Sequence, residues 1–184
     1  MTHVIFVLLC FLVDEILMIL FPNSFLINDL LFISNIGFCA IMLTVRKFDW
    51  INTCLFAFGF GIFYDIVFAN TFLQYAFIFT IVACCLRLWS KHMTDTVIES
   101  LILCIVTIFA KDFLVYLFMN LQRTTDISFM DWAEKYELLS LLTNAILSMI
   151  IVFLIRIKND YLKMKAIQVR KGEKIEWFRL KSKE

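Results

Sequence analysis

The sequence predicts an all-α, polytopic membrane protein with six transmembrane helices in one bundle. The chain of 184 residues is 62% hydrophobic, has a mean hydropathy of +0.87, and contains 21 Phe but a single Pro. The apolar share of a soluble domain is only about half. This apolar excess therefore predicts helices that cross a membrane. The formal net charge of +1 does not indicate a class of partner.

Six apolar runs are each close to the roughly 20 residues that a helix needs to cross the hydrocarbon core. They are His3 to Phe21, Ile27 to Val45, Ile51 to Phe68, Thr71 to Trp89, Val97 to Met119 and Leu138 to Ile155. The links at Pro22 to Ser24 and Ala69 to Asn70 are very short, so consecutive helices are expected to pack antiparallel. The sequence thus predicts a six-helix transmembrane domain over residues 1–155 and a basic cytoplasmic tail over residues 156–184.

The distribution of Lys and Arg predicts the orientation in the membrane, because cytoplasmic loops are enriched in these residues. With the N-terminus in the cytoplasm, four basic residues lie in the inner loops, ten lie in the tail, and only Arg123 and Lys135 lie outside. Both termini are therefore expected in the cytoplasm.

Ionisable side chains inside the apolar runs need an explanation, because an unpaired charge in hydrocarbon is costly. The residues concerned are Asp14 and Glu15 in the first run, Asp65 in the third, and Lys111 with Asp112 in the fifth. At about 1.5 Å of rise per residue, these positions come out at a similar depth. We expect a polar cluster in which Lys111 pairs with Asp65 or with an acid of the first helix. The alternative is that Lys111 extends to the outer surface while Asp14 lines a wet groove.

The third run also carries small residues next to its acid. Gly59 and Gly61 precede Asp65, and Ala57, Gly61 and Asp65 are spaced four apart on one helix face. Small residues at this spacing allow two membrane helices to approach closely. A tight helix contact is therefore predicted beside Asp65.

Two segments outside the runs suggest interactions. The acidic outer loop from Asn120 to Glu137, which includes Trp132, is interpreted as a loop or short helix on the membrane surface, or as a docking surface for an extracytoplasmic partner. The basic tail is expected to bind anionic lipid, since each charge near such a surface contributes about 1 kcal/mol. A cytoplasmic partner that contacts Ile175, Trp177 and Phe178 is the alternative.

Motifs that carry chemistry are mostly absent. The six cysteines lie within or at the ends of the runs without metal-ligand spacing, and the two histidines lie near the cytoplasmic boundary. Phosphate-binding loops, nucleophile elbows and zinc-protease helices are not found. We therefore expect no metal, no cofactor and no nucleic-acid partner, and an enzyme is disfavoured. The one candidate catalytic pair is Asp65 with Glu15.

Two neighbouring segments resemble a known family. The run GFGIFYDI from Gly59 to Ile66, followed by a short turn and FLQYAF from Phe72 to Phe77, is similar to the signature region of the bacterial rod shape-determining protein MreD family. The residues that match in place are Gly61, Asp65, Tyr75 and Ala76, and Asp14 and Pro22 agree with an acid in the first helix and a Pro soon after it. Gln74 stands where the family pattern has a Gly, and the outer loop and basic tail have no counterpart in that pattern.

The resemblance implies a non-enzymatic scaffold subunit of the peptidoglycan elongation machinery in the bacterial cytoplasmic membrane, needed for cell shape. The implied partners are the single-span protein MreC and, through it or directly, RodA, its penicillin-binding transpeptidase and the filament protein MreB. The family is also similar in architecture to the substrate-binding subunits of energy-coupling-factor vitamin transporters. A small-molecule-binding subunit of a transporter, with the polar cluster as its ligand pocket, is therefore the alternative function.

Overall fold

The computed structural model describes residues 2–21, 33–69, 71–90, 94 and 96–181, with side chains described as far as residue 170. Throughout these residues the regular structure is helical. The helices are α1 (Thr2–Leu20), α2 (Ile36–Val45), α3 (Trp50–Tyr64), α4 (Gln74–Ser90), α5 (Val97–Leu121), α6 (Phe129–Trp132) and α7 (Leu138–Lys181). A π-helical turn extends α3 over Asp65–Ala69, and a second one, Ala133–Glu137, joins α6 to α7.

Four helical segments are long and apolar enough to cross a membrane: Thr2–Leu20, Trp50–Ala69, Val97–Leu121 and Phe129–Arg170. The two other apolar helices, Ile36–Val45 and Gln74–Ser90, are shorter. Part of the second predicted run, residues 27–32, and the predicted turn at Pro22 lie outside the described residues. The predicted membrane character is thus supported by four helices, while six crossings remain a prediction.

The short helix α2 forms the centre of the fold. All ten of its residues are buried, and it contacts α1, α3, α4 and α5. Its sequence, IGFCAIMLTV, has no polar face, as expected for a helix that is surrounded on all sides. The outer helices differ: only 22% of the apolar window of α1 is buried. Their remaining apolar side chains face outward, where lipid would cover them.

The chain forms two compact units, Met1–Val152 and Phe153–Glu184. The predicted tail begins inside the second unit, and its described part is helical because α7 continues to Lys181. The hydrophobic residues proposed for partner binding, Ile175, Trp177 and Phe178, lie where side chains are not described. Lipid and partner binding by the tail remain predictions.

The packing of α3 on α4 can be tested by cross-linking. The Sγ atoms of Cys54 and Cys84 lie 3.3 Å apart, one on each helix. In a variant whose other four cysteines are replaced by Ser, copper phenanthroline is expected to join this pair in an intramolecular disulfide, read out by mass spectrometry of peptides. Moving Cys54 one position along α3, as Cys54→Ser with Leu55→Cys, turns the thiol away by about 100° and should abolish the cross-link. Equal yields in both variants would contradict the α3–α4 contact.

Candidate functional site

Asp14 of α1 caps the N-terminus of α2. Its carboxylate accepts hydrogen bonds from the Ser34 hydroxyl, from the Ile36 N–H at 2.9 Å and from the Gly37 N–H at 2.6 Å, and the residue is 8% exposed. The first N–H groups of a helix have no partner within the helix and attract negative charge. Asn35 is the N-cap residue of α2, but its side chain makes no capping hydrogen bond. Asp14, an acid from the neighbouring helix, therefore provides the cap that a local side chain usually provides.

Asp65 does the same for α4. Its carboxylate accepts from the Thr71 hydroxyl at 2.5 Å, the Tyr75 N–H at 3.0 Å and the Ala76 N–H at 2.9 Å, and the residue is 2% exposed. The intervening turn places Leu73 at a φ of 59°, a left-handed conformation that costs a non-glycine residue about 1–2 kcal/mol. The hydrogen bonds to Asp65 help to hold this turn.

The two caps repeat one arrangement. In each, a carboxylate in the outgoing helix accepts one hydroxyl and two consecutive backbone N–H groups at the start of the next helix. Thus α1–α2 and α3–α4 are built as two similar helix pairs. In each pair the carboxylate that interrupts an apolar run is satisfied by backbone donors, as buried polar groups require.

Gly61 is the close-contact residue beside Asp65. A Cβ on Gly61 would overlap the Cα of Ala76 and would lie 2.9 Å from both the Ala76 nitrogen and the Tyr75 oxygen. The backbone of α4 therefore approaches α3 at the residues that Asp65 caps. Gly59 differs: it is exposed, and a Cβ there would meet nothing within 4 Å. Among the described residues no atom packs closely on Gly59, and its predicted structural or partner-binding role remains a prediction.

These two glycines provide a matched test. Gly61→Ala is expected to lower the free energy of unfolding by about 1–3 kcal/mol, the usual cost of overpacking, because backbone rather than a side chain must move. Gly59→Ala is expected to be neutral or stabilising, since Ala favours a helix over Gly by about 0.8–1 kcal/mol. Unfolding in mixed micelles at increasing SDS fraction measures both. Equal losses in the two variants would contradict the close approach at Gly61.

Lys111 does not have the predicted partner. Its ammonium pairs with Asp112 at 2.9 Å, donates to the Asn35 side-chain oxygen, and lies 5.5 Å from the centre of the Phe38 ring. The predicted pairing with Asp65 or with an acid of α1 is therefore wrong, because backbone N–H groups already satisfy Asp65 and Asp14, and Glu15 is exposed. The alternative of an outward-reaching lysine is also wrong, since Lys111 is 3% exposed. Its long side chain bends toward the acid that follows it in the same helix.

Two asparagines that were not predicted as site residues connect the helices. The side-chain oxygen of Asn144 on α7 accepts from the Asn35 backbone N–H at 2.8 Å, and its amide donates to the Ile33 oxygen at 2.7 Å. Asn35 also accepts from Lys111, so the segment before α2 joins α5 to α7. Asn144 could have been predicted as a contact residue from its position in the apolar run from Leu138 to Ile155, because a polar side chain buried there needs hydrogen-bond partners.

The remaining predicted residues lie apart from the caps. Glu15 is exposed on α1, whereas both Asp65 oxygens take part in capping. A catalytic role for the pair of Asp65 and Glu15 remains a prediction. Trp132 is half-buried, and its ring stacks on Tyr116 with 4.9 Å between ring centres. The described residues contain no group of three His, Cys, Asp or Glu side chains placed to hold a metal ion.

A cavity of about 300 Å³ lies beside the Lys111–Asp112 pair. Its walls include Tyr75, which follows the Asp65-capped turn, and the stacked rings of Tyr116 and Trp132. Glu137, at the end of the second π-helical turn, also lines it and is 4% exposed. The cavity thus brings together three predicted residues, Lys111, Asp112 and Trp132, with an acid that the sequence analysis assigned only to the outer loop.

The chain was compared with protein families, curated proteins and solved structures. No family model, curated protein or solved structure is significantly similar to this chain.

Proposed function

We propose that the chain is a non-enzymatic scaffold subunit of the peptidoglycan elongation machinery, similar in role to MreD proteins and needed for cell shape. On this proposal it crosses the bacterial cytoplasmic membrane six times, with both termini in the cytoplasm. It binds MreC and, through MreC or directly, RodA, its penicillin-binding transpeptidase and MreB. The basic tail lies against anionic lipid.

One observation carries the proposal. The four residues on which the resemblance rests, Gly61, Asp65, Tyr75 and Ala76, form a single contact: Asp65 caps the N–H groups of Tyr75 and Ala76 while Gly61 packs against Ala76. A signature that builds one helix junction is what a scaffold needs, since such a junction fixes the surface that α3 and α4 present to a partner. The engagement of both Asp65 oxygens in capping also supports a structural role over catalysis.

The test is co-purification of named partners. The tagged chain, expressed in its native host and extracted in mild detergent, is expected to retain MreC, identified by peptide mass spectrometry. Asp65→Ala should reduce that recovery strongly, whereas Asp49→Ala should not. Asp49 precedes α3, is exposed, and makes no side-chain capping bond. Failure of the folded wild-type chain to retain any wall-synthesis protein would contradict the scaffold proposal.

The second candidate is a small-molecule-binding subunit of a transporter. The cavity of about 300 Å³ favours it, because this volume is at the lower end of the range for ligand pockets in proteins. Native mass spectrometry of the purified chain distinguishes the candidates: a transporter subunit is expected to carry a bound small molecule and to capture transporter components in place of MreC.

A further inference from the structure

Two acids that line the cavity beside Lys111 each have one buried carboxylate oxygen that lacks a hydrogen-bond partner. Among the described residues, Asp112 Oδ2 and Glu137 Oε1 are buried and accept no hydrogen bond. The other Asp112 oxygen is taken by Lys111, 2.9 Å away. Leaving a buried acceptor unsatisfied costs about 1–3 kcal/mol, and more when it is charged. A hydrogen-bond donor that entered the cavity and reached these two oxygens would satisfy both.

The charged groups around the cavity indicate which charge a ligand there would carry. Among the described residues that line it, the ionisable groups other than tyrosines are Lys111, Asp112 and Glu137. Lys111 balances one carboxylate through its pair with Asp112, so an ionised Glu137 leaves one negative charge without a counterion. A buried carboxyl in this position either stays protonated or has a cation nearby that stabilises its ionised form. A ligand with a single positive charge would complete the balance.

The walls of the cavity favour an organic cation over a metal ion. Tyr116 and Trp132 stack at 4.9 Å between ring centres, and Tyr75 and Tyr136 also line the space. Aromatic faces attract ammonium groups and pack against apolar bodies. Two carboxylates with one paired lysine provide few oxygen ligands for Ca²⁺, which takes 6–8. The volume of about 300 Å³ limits the ligand to a small molecule.

We propose that the cavity between α5 and the α6–α7 junction binds a small primary amine in its ammonium form. Its N–H groups donate to Asp112 Oδ2 and Glu137 Oε1, and its apolar body packs against Trp132 and Tyr116. The proposal is independent of partner binding. It uses the same cavity as the transporter candidate but requires only binding, not transport.

The test uses the full chain in nanodiscs of neutral lipid, so that amines do not accumulate on anionic lipid. Three primary amines serve as probes: phenethylamine, tryptamine and cyclohexylamine. At least one is expected to bind saturably by isothermal titration calorimetry, and 2-phenylethanol, which lacks the charge, should bind at least tenfold more weakly than phenethylamine. Absence of saturable binding for all three amines, or equal affinity for the neutral alcohol, would overturn the proposal.

Variants then assign the binding to these carboxylates. Glu137→Gln and Asp112→Asn are each expected to raise the Kd by at least tenfold, because each replaces a charged acceptor with a neutral one. Glu134→Gln is the matched control, since Glu134 lies in the same π-helical turn but is exposed. A folded Glu137→Gln protein that binds as tightly as the wild type would refute the assignment. Recovery of MreC with Glu137→Gln, measured in parallel, keeps this result separate from the scaffold proposal.

Discussion

Lys111→Met is expected to lower the free energy of unfolding by about 3–5 kcal/mol, the range found when one partner of a buried ion pair is removed. Lys111 is 3% exposed, and its ammonium is the partner of both Asp112 and the Asn35 side chain. Without it, none of the described residues that line the cavity provides a positive charge to oppose Asp112 and Glu137. The loss should therefore exceed that of an ordinary core substitution.

A second change separates charge balance from packing. Lys111→Met combined with Asp112→Asn removes both members of the pair, so stability should return part of the way toward that of the wild type. Lys135→Met is the matched control, because Lys135 is exposed in the second π-helical turn. SDS-induced unfolding followed by tryptophan fluorescence provides the measurement. A fully stable Lys111→Met protein, or a double variant less stable than the single one, would contradict the pairing with Asp112.

The helical architecture was largely predictable, because continuous apolar sequence determines where membrane helices form. The fifth run was predicted from Val97 to Met119, and α5 ends two residues later at Leu121. The sixth run was predicted to end at Ile155, whereas α7 continues to Lys181. Hydropathy marks where the apolar stretch ends, but the helix continues because the polar residues beyond it, largely Lys and Arg, are good helix formers and include no Pro.

The partners of the buried charges were not predictable from composition. The sequence identified Asp14, Asp65 and Lys111 as residues in need of partners, and the simplest electrostatic expectation joined acid to base. The structure instead joins each acid to the start of the following helix, since two N–H groups and a hydroxyl satisfy a carboxylate without a counterion. These hydrogen bonds depend on where the chain reverses direction and brings the start of the next helix beside the acid. No local sequence pattern predicts that position.

Asp65→Ala is expected to lower the free energy of unfolding by about 2–6 kcal/mol, because one buried and one part-buried N–H group lose their acceptor and each unsatisfied group costs about 1–3 kcal/mol. The groups are those of Tyr75 and Ala76, with the Thr71 hydroxyl as a third donor. The turn at Leu73 would also lose the bonds that hold its left-handed conformation. Asp65→Asn should lose less, since a neutral side-chain oxygen still accepts one of these bonds.

The structural equivalence of the two caps makes this prediction sharper. Asp14→Ala should cost a similar amount through Ile36 and Gly37, while Asp49→Ala should change stability little, because Asp49 is exposed and makes no capping bond. Thermal unfolding in detergent, followed by size-exclusion chromatography, compares the three variants with the wild type. If Asp65→Ala and Asp49→Ala had the same midpoint, the Asp65 carboxylate would not be holding α4 to α3, and the structural basis of the scaffold proposal would be lost.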